Sequence, residues 1–187
     1  LRSLVGSEMC IRDRLSSEPK IMIAYDLIGQ TPLVLLESFS DENVKIYAKL
    51  EQFNPGGSIK DRLGKYLIEK AIDEGRLKEG DTIVEATAGN TGIGLAIASN
   101  RHKVKCIIFA PEGFAEEKIS IMKALGADVR RTPKVEGMTG AQQEALAYAT
   151  RYGYLYMNQF ETKDNPGAYT QTPVSYTHLT LPTTPYV

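Results

Sequence analysis

Strand-like and helix-like stretches alternate along most of this chain, and that alternation is the strongest constraint on its fold. DTIVEA (Asp81 to Ala86) is a predicted strand, and VKCIIFA (Val104 to Ala110) is a nearly continuous apolar run, typical of a strand that is buried on both faces. The segments IKDRLGKYLIEKAIDEG, NTGIGLAIASNRH and AEEKISIMKALGA lie around them and have helical character. Strands that alternate with helices predict an α/β fold, a parallel sheet with helices on both faces.

Other segments extend the pattern at both ends. VKIYAKL (Val44 to Leu50), ADVRRTP and YLYMNQF (Tyr154 to Phe160) are predicted strands, and TGAQQEALAYATRYG is a predicted helix. The stretch before Val44, with IGQTPLV, is predicted to be a turn and an edge segment of a second domain.

Local signals set the expected ends of two helices. Ser58 is the predicted N-cap of the first helix and Gly75 its C-terminal stop. Thr139 and Gln142 have capping-box spacing, which predicts that a later helix begins at Thr139 and ends at Gly153.

The two ends of the chain are related in a way that folding does not explain. Codons can be chosen so that the DNA for MCIRDR (Met9 to Arg14) is the reverse complement of the DNA for PVSYTH (Pro173 to His178). The flanking residues resemble translations of the adapters that are used to prepare sequencing libraries. We therefore expect residues 1–14 and 173–187 to be adapter-derived tails and residues 15–172 to be the protein segment.

Composition excludes several classes of function. The formal net charge is −1, so bulk charge favours neither nucleic acid nor a membrane surface as partner, and no apolar run is long enough to span a bilayer. Outside the tails, Cys106 is the single cysteine, which excludes an internal disulfide and fits a cytoplasmic location. His102 is the single histidine there, so no metal site is expected. Cys106 itself is predicted to be a small core residue.

The loop EATAGNTGIG (Glu85 to Gly94) joins a predicted strand to a predicted helix, where ligands bind in parallel α/β sheets. Gly89, Gly92 and Gly94 allow the backbone to approach a ligand, and the start of the helix suits an anion. The order G-x-x-G-x-G does not match the dinucleotide fingerprint. Glycines that serve only close packing of helix and sheet remain the alternative.

The second notable loop is NPGGSIKDR (Asn54 to Arg62), in which Lys60 falls in the first turn of a predicted helix. The positive end of the helix dipole disfavours a cation there and favours the neutral amine that forms a Schiff base. A solvated surface charge is the alternative, and it is the more common role of a lone lysine.

Together the two loops resemble the fold-type II pyridoxal-phosphate enzymes, and within them the cysteine synthase and cystathionine β-synthase branch. The segments IGQTPLV, PEGFAEEKISIMKALGADV and NQFETKDNPGAY agree with that resemblance. It implies a tryptophan synthase β-like fold and covers about the N-terminal half of a family chain.

The resemblance also implies roles for individual residues. Lys60 is expected to bond covalently to pyridoxal 5′-phosphate and to act as the catalytic base, and Asn90 to hydrogen-bond the cofactor ring hydroxyl. The residues expected to bind the substrate carboxylate are Thr87, Ala88, Gly89, Asn90, Thr91 and Gln159.

The implied reaction is β-replacement, in which a sulfur nucleophile replaces the β-substituent of O-acetylserine or serine and cysteine is formed. The expected partners are an amino-acid substrate and sulfide or a thiol, with the intact parent a homodimer. Cystathionine β-synthase activity with homocysteine and a deaminating relative acting on serine or threonine are alternatives within the enzymes. A module that binds carboxylates or docks onto a partner is the non-catalytic alternative.

Two departures from the family bear on this expectation. Ala88 stands where many relatives have serine, and TAGNTG with EGMTGA (Glu136 to Ala141) resembles the bacterial branch that uses homocysteine. The family's phosphate-binding glycine loop and the residue that faces the pyridine nitrogen are expected beyond Thr172. On that ground the fragment by itself is expected to be inactive.

Overall fold

A computed structural model describes residues 22–114, 116–159, 162 and 164–170. The expected adapter-derived tails at residues 1–14 and 173–187 lie outside the described residues, and so do both of their boundaries.

The described residues form six strands and five α-helices. The strands are β1 (Leu33–Leu35), β2 (Tyr47–Lys49), β3 (Thr82–Ala86), β4 (Lys105–Pro111), β5 (Asp128–Thr132) and β6 (Leu155–Tyr156). The helices are α1 (Lys60–Asp73), α2 (Asn90–Arg101), α3 (Glu116–Ala124), α4 (Gly137–Tyr152) and α5 (Asp164–Thr170). Short 3₁₀ turns lie at Ala24–Leu27, Glu37–Phe39, Glu51–Phe53 and Lys134–Glu136.

Four of the strands form one parallel sheet in the order β5-β4-β3-β6. Val84 of β3 pairs with Ile107 of β4, and Ile108 pairs with Val129 of β5. β6 is short and pairs with the other edge of β3, where Ile83 faces Leu155. The predicted parallel sheet is confirmed.

Side chains alternate between the two faces of the sheet and divide the core in two. On β4, Cys106 and Ile108 pack with the cluster that includes α1, α2 and α3, while Ile107 and Phe109 face the other side. That second side is covered by α4, whose small side chains are Ala141, Ala145 and Ala149. The predicted placement of helices on both faces is confirmed, and Cys106 is a core residue as expected.

Two glycines let α1 and α2 touch through their backbones. A Cβ on Gly64 would lie 2.3 Å from the carbonyl carbon of Gly94, and one on Gly94 would lie 2.4 Å from the carbonyl oxygen of Lys60. No side chain fits at either position unless the helices separate. The first turns of α1 and α2 are thereby held side by side.

The predicted strand Val44 to Leu50 does not join the parallel sheet. Its central residues form β2, which pairs antiparallel with β1 in a separate two-stranded sheet, with Val34 opposite Ala48. No α-helix lies between β1 and β2, and a parallel pairing requires such a crossover. The expected edge segment around IGQTPLV is therefore one strand of this hairpin.

Helix ends follow the sequence signals in one case and not in another. Gly75 adopts φ 71° just after α1, as predicted for a stop, and the Ser58 hydroxyl accepts a hydrogen bond from the Lys60 amide at 3.1 Å. The formal N-cap is Ile59, one residue after the predicted Ser58. The capping box at Thr139 is wrong, because a 3₁₀ turn leads directly into a helix that already begins at Gly137.

Candidate active site

The strand order places a crevice beside β3. The chain steps from β3 to β4 to β5 in one direction and then returns to the opposite edge of β3 with β6. In open parallel sheets, ligands bind beyond the carboxyl ends of the strands at such a reversal. Thr87 directly follows β3 and Gln159 lies three residues after β6, so the two predicted carboxylate-binding segments meet at this point.

The loop after β3 is shaped by its own hydrogen bonds. The Thr87 amide donates to the carbonyl of Phe109 at 2.9 Å, and the buried Thr87 hydroxyl accepts from the Gly89 amide at 3.2 Å. Among the described residues, the amides of Ala88, Asn90 and Thr91 donate no backbone hydrogen bond. These amides lie at the positive end of α2, where they can receive a carboxylate.

The glycines of this loop have different functions. A Cβ added to Gly89 would have no neighbour within 4 Å, so open space lies beside the backbone there. A Cβ on Gly92 would lie 2.4 Å from the sulfur of Met122, and a Cβ on Gly94 would collide with the carbonyl oxygen of Lys60. Gly92 and Gly94 are therefore required for packing, and Gly89 is the one that leaves room for a ligand.

Lys60 is the first residue of α1, and its half-buried side chain extends toward α5. Its amine lies 2.8 Å from the hydroxyl of Tyr169. Its carbonyl group packs against Gly94, about one turn into α2. This contact places the backbone of Lys60 beside the first turn of α2, which follows the loop of residues 87–91.

The residues around Lys60 hold the first turn of α1 in place. Asp61 is fully buried, and one carboxylate oxygen accepts from the Gly56 amide while the other has no partner. Burial raises the pKa of Asp61 to about 6, against the lowering effect of the Gly56 hydrogen bond. A Cβ on Gly56 would lie 2.4 Å from that second oxygen, so this position tolerates only glycine.

Arg62 ties the same turn to the segment that precedes it. Its guanidinium donates to both carboxylate oxygens of Glu51 at 2.8 Å and to the Gly29 carbonyl at 2.8 Å. Burial alone would raise the pKa of Glu51, but hydrogen bonds from Arg62, Thr31 and Asn54 lower it to about 2. Asp61 and Arg62, the two residues that follow Lys60, are thus structural.

Gln159 is held by a buried carboxylate that the sequence analysis did not single out. The Gln159 amide donates to Glu85 at 3.0 Å, and its side-chain amide makes a long contact of 3.5 Å with the Ala86 carbonyl. Burial raises the pKa of Glu85 to about 7, although the amides of Ala86 and Gln159 act to lower it. A charged residue inside the apolar run TIVEA was the sequence signal for this role.

Lys60, the loop of residues 87–91 and Gln159 therefore converge at one edge of the sheet. Pyridoxal phosphate requires an amine that can bond to its carbonyl carbon. An amino-acid substrate requires free amides that can bind its carboxylate, and this site offers both. The open space beside Gly89 gives such a ligand room. The residues fit the group that the sequence predicts.

Other chemistries find less support in this part of the chain. The described residues contain no cluster of three or more His, Cys, Asp or Glu side chains that could hold a metal. Burial raises the pKa of the Cys106 thiol to about 12, which fits an inert core residue. Among the described helices, none has the length and apolar character that crossing a membrane requires.

Comparison with known proteins agrees with the geometry. The chain is 50% identical over 149 residues to the O-acetylserine dependent cystathionine beta-synthase of Bacillus subtilis, an alignment that covers 79% of this chain and 48% of the relative. It is 47% identical over 155 residues to the cysteine synthase of Helicobacter pylori, covering 79% and 49%. The crystal structure of cysteine synthase from Entamoeba histolytica superposes with a TM-score of 0.78 at 36% identity, covering 87% of this chain and 51% of that one.

The chain thus spans about half the length of the curated relatives that it matches. The family model described as pyridoxal-phosphate dependent enzyme matches residues 24–174. On the evidence of this match and of these relatives, the chain belongs to the family of pyridoxal-phosphate dependent enzymes, in its cysteine synthase and cystathionine β-synthase branch.

Proposed function

We propose that the complete protein catalyses β-replacement on O-acetylserine or serine with a sulfur nucleophile, and that cysteine is its product. The observation that carries this proposal is the contact between the first turns of α1 and α2. It sets the amine-bearing residue Lys60 beside the free amides of the loop of residues 87–91. Relatives named cysteine synthase support the choice of reaction.

Lys60 has two functions in this proposal. Its amine would hold the cofactor, and once free it would serve as the base that takes the α-proton of the substrate and later returns it. Pyridoxal phosphate, when bound, supplies the electron sink that makes this proton acidic enough to remove. The packing of Lys60 against Gly94 keeps its backbone fixed while the side chain moves.

The loop and Gln159 hold and orient the amino acid. The amides of Ala88, Asn90 and Thr91 receive the α-carboxylate, and the buried Gln159 closes the same crevice from the side of β6. The Thr87 hydroxyl serves the loop by accepting from Gly89. The Asn90 side chain would hydrogen-bond the ring hydroxyl of the cofactor.

The test is covalent attachment of cofactor to Lys60 in the complete gene product. Borohydride reduction followed by peptide mass spectrometry should find the cofactor on Lys60, and Lys60→Ala should lose this covalent attachment. Lys65→Ala on the same helix is the matched control and should retain it. A complete protein without cofactor on Lys60, or a Lys60→Ala variant with unchanged turnover, would favour the non-catalytic module.

A second candidate uses homocysteine as the sulfur donor and forms cystathionine. The 50% identity to a relative named O-acetylserine dependent cystathionine beta-synthase favours it, and so does Ala88, which removes a hydroxyl from the loop. O-acetylserine should be incubated with sulfide and with homocysteine in parallel, and the products identified by mass spectrometry. Release of a keto acid without added thiol would instead indicate the deaminating alternative.

A further inference from the structure

We propose that the hydroxyl of Tyr169 is a positioning group for the Lys60 amine, holding it over the crevice whenever that amine is not bonded to the cofactor. This inference rests on the proposed function, because it assigns a partner to the lysine that carries the chemistry. It adds a residue from α5 to a site that the sequence placed on two earlier loops and Gln159.

The contact is a hydrogen bond to the hydroxyl. The Lys60 amine lies 2.8 Å from the Tyr169 oxygen but 5.4 Å from the ring centroid, so the amine approaches the hydroxyl end of the ring. Both side chains are half-buried. Within the described residues Lys60 takes part in no ion pair, and Tyr169 supplies the hydrogen-bonding partner of its amine.

α5 is fixed against α1 at several points, which gives the Tyr169 hydroxyl a defined position. Asp164 at the start of α5 pairs with Lys70 near the end of α1 and lies 3.4 Å from Arg76. Gly167 packs so closely that a Cβ would lie 2.5 Å from the hydroxyl of Tyr66, and Ala168 is buried in the core. Tyr169 then meets Lys60 at the opposite end of α1.

The same segment also carries the carboxylate-binding side of the site. The side-chain amide of Asn165 donates to the Gln159 carbonyl at 2.7 Å, which ties the start of α5 to the end of β6. The positions of Gln159 and Tyr169 are therefore linked through one short stretch of chain. The segment that positions Gln159 thus also carries the hydroxyl that binds the Lys60 amine.

A phenol suits both protonation states of an amine. When Lys60 is uncharged, the Tyr169 hydroxyl can donate to it, and when Lys60 has taken the α-proton, its ammonium group can donate to the Tyr169 oxygen. Tyr169 neither gains nor loses a proton in this exchange. Its effect is to keep the amine within reach of the α-carbon between the two proton transfers.

The first test uses the complete protein without cofactor and measures how fast a small acylating reagent labels Lys60 relative to Lys65. In Tyr169→Phe, loss of the hydrogen bond should speed labelling of Lys60 by roughly fivefold and leave Lys65 unchanged. Tyr148→Phe is the matched control, because Tyr148 packs on the other side of the sheet, away from both Lys60 and Lys65.

The second test follows exchange of the substrate α-proton with deuterated water in the complete protein with cofactor. Tyr169→Phe should lower the maximal exchange rate by roughly tenfold with little change in the O-acetylserine concentration at half-maximal rate. Tyr169→His, whose ring nitrogen can bond the amine, should recover most of the rate, and it also covers the case in which the phenylalanine variant fails to fold.

The two proposals fail in different ways. A wild-type protein that traps no cofactor at Lys60 overturns the proposed function. If cofactor is trapped at Lys60 and Tyr169→Phe matches wild type in both labelling and exchange, the assignment of Tyr169 is overturned. An equal loss in Tyr169→Phe and Tyr169→His, with cofactor content unchanged, also overturns it, because shape and not hydrogen bonding would then be responsible.

Discussion

Glu85 and Asp61 are fully buried carboxyl groups that flank the candidate site from two elements. Glu85 binds the Gln159 amide, and Asp61 binds the Gly56 amide in the turn before Lys60. Burial raises the pKa of Glu85 to about 7 and that of Asp61 to about 6. Each residue therefore holds a functional segment with a side chain whose charge changes near neutral pH.

These raised pKa values predict that the fold loses stability as pH rises from about 4 to neutrality. The folded state binds more protons than the unfolded state between about pH 4 and 7, so the stabilisation is fully present below about pH 4 and is lost through pH 6 to 7. The loss should be on the order of 3 kcal/mol for each group. Urea unfolding of the chain, followed by circular dichroism at several pH values, measures it.

Glu85→Gln is the informative variant, because its amide oxygen can still accept from Gln159 but carries no charge. Its unfolding free energy should vary less between pH 5 and pH 8 than that of wild type. Glu69→Gln, a half-exposed carboxylate elsewhere on α1, is the control and should follow wild type. A pH profile of Glu85→Gln identical to wild type would contradict this assignment.

Of the glycines in the loop after β3, Gly89 leaves room for a ligand and Gly92 serves packing. Gly89→Ala should leave the unfolding free energy nearly unchanged, because open space surrounds that position. It should nevertheless weaken substrate carboxylate binding by roughly tenfold or more, because the new methyl group projects into the crevice. Spectral titration of the complete protein with O-acetylserine measures binding.

Gly92→Ala is the matched comparison for Gly89→Ala. Its methyl group meets the Met122 sulfur, so the variant should lose about 1–3 kcal/mol of unfolding free energy. A Gly89→Ala variant that loses as much stability as Gly92→Ala would show that the space beside Gly89 is not open.

At the scale of elements, the contact between α1 and α2 decides the geometry of the site. Alanine is favoured over glycine within a helix by about 1 kcal/mol, so Gly64→Ala would stabilise α1 if it had room. A Cβ 2.3 Å from the backbone of Gly94 has none. We expect Gly64→Ala to lower the unfolding free energy by about 2 kcal/mol, despite the gain in helix propensity.

Gly64→Ala should also weaken cofactor attachment, because separating the helices moves Lys60 away from the loop of residues 87–91. In the complete protein, Gly64→Ala should reduce trapping of cofactor on Lys60 at temperatures where it remains folded. A stable variant with full trapping would mean that the close crossing does not position the lysine.

Local pattern predicts some of these elements well and others not at all. β4 is recognisable because burial on both faces leaves a nearly continuous apolar run, and Lys60 and the loop of residues 87–91 follow from motifs within single segments. The antiparallel pairing of β2 depends on which strand it meets, and VKIYAKL has the same appearance in either sheet. Tyr169 joins Lys60 across 109 positions of sequence, a contact that no local pattern contains.

At the scale of the whole molecule, exposed apolar side chains are concentrated in one region. The hairpin of β1 and β2 exposes both of its faces, since Leu33 and Val34 point in opposite directions and each is 40% exposed. Two-stranded sheets are marginally stable without a covering layer. The exposed large apolar residues of this region are Met22, Ile23, Leu27, Leu33, Val34, Phe39, Val44, Ile46, Tyr47 and Phe53.

This surface predicts that the chain, produced by itself, associates and binds hydrophobic dyes. Large exposed apolar surface is uncommon on soluble monomers, so light scattering should show mass that rises with concentration, together with strong dye fluorescence. Val34→Lys should reduce both signals, because it places a charge within the patch. Val135→Lys is the matched control, since Val135 is 92% exposed outside this region, and it should change neither. A dye-free monomer at high concentration would show that the hairpin of β1 and β2 is covered by the chain itself.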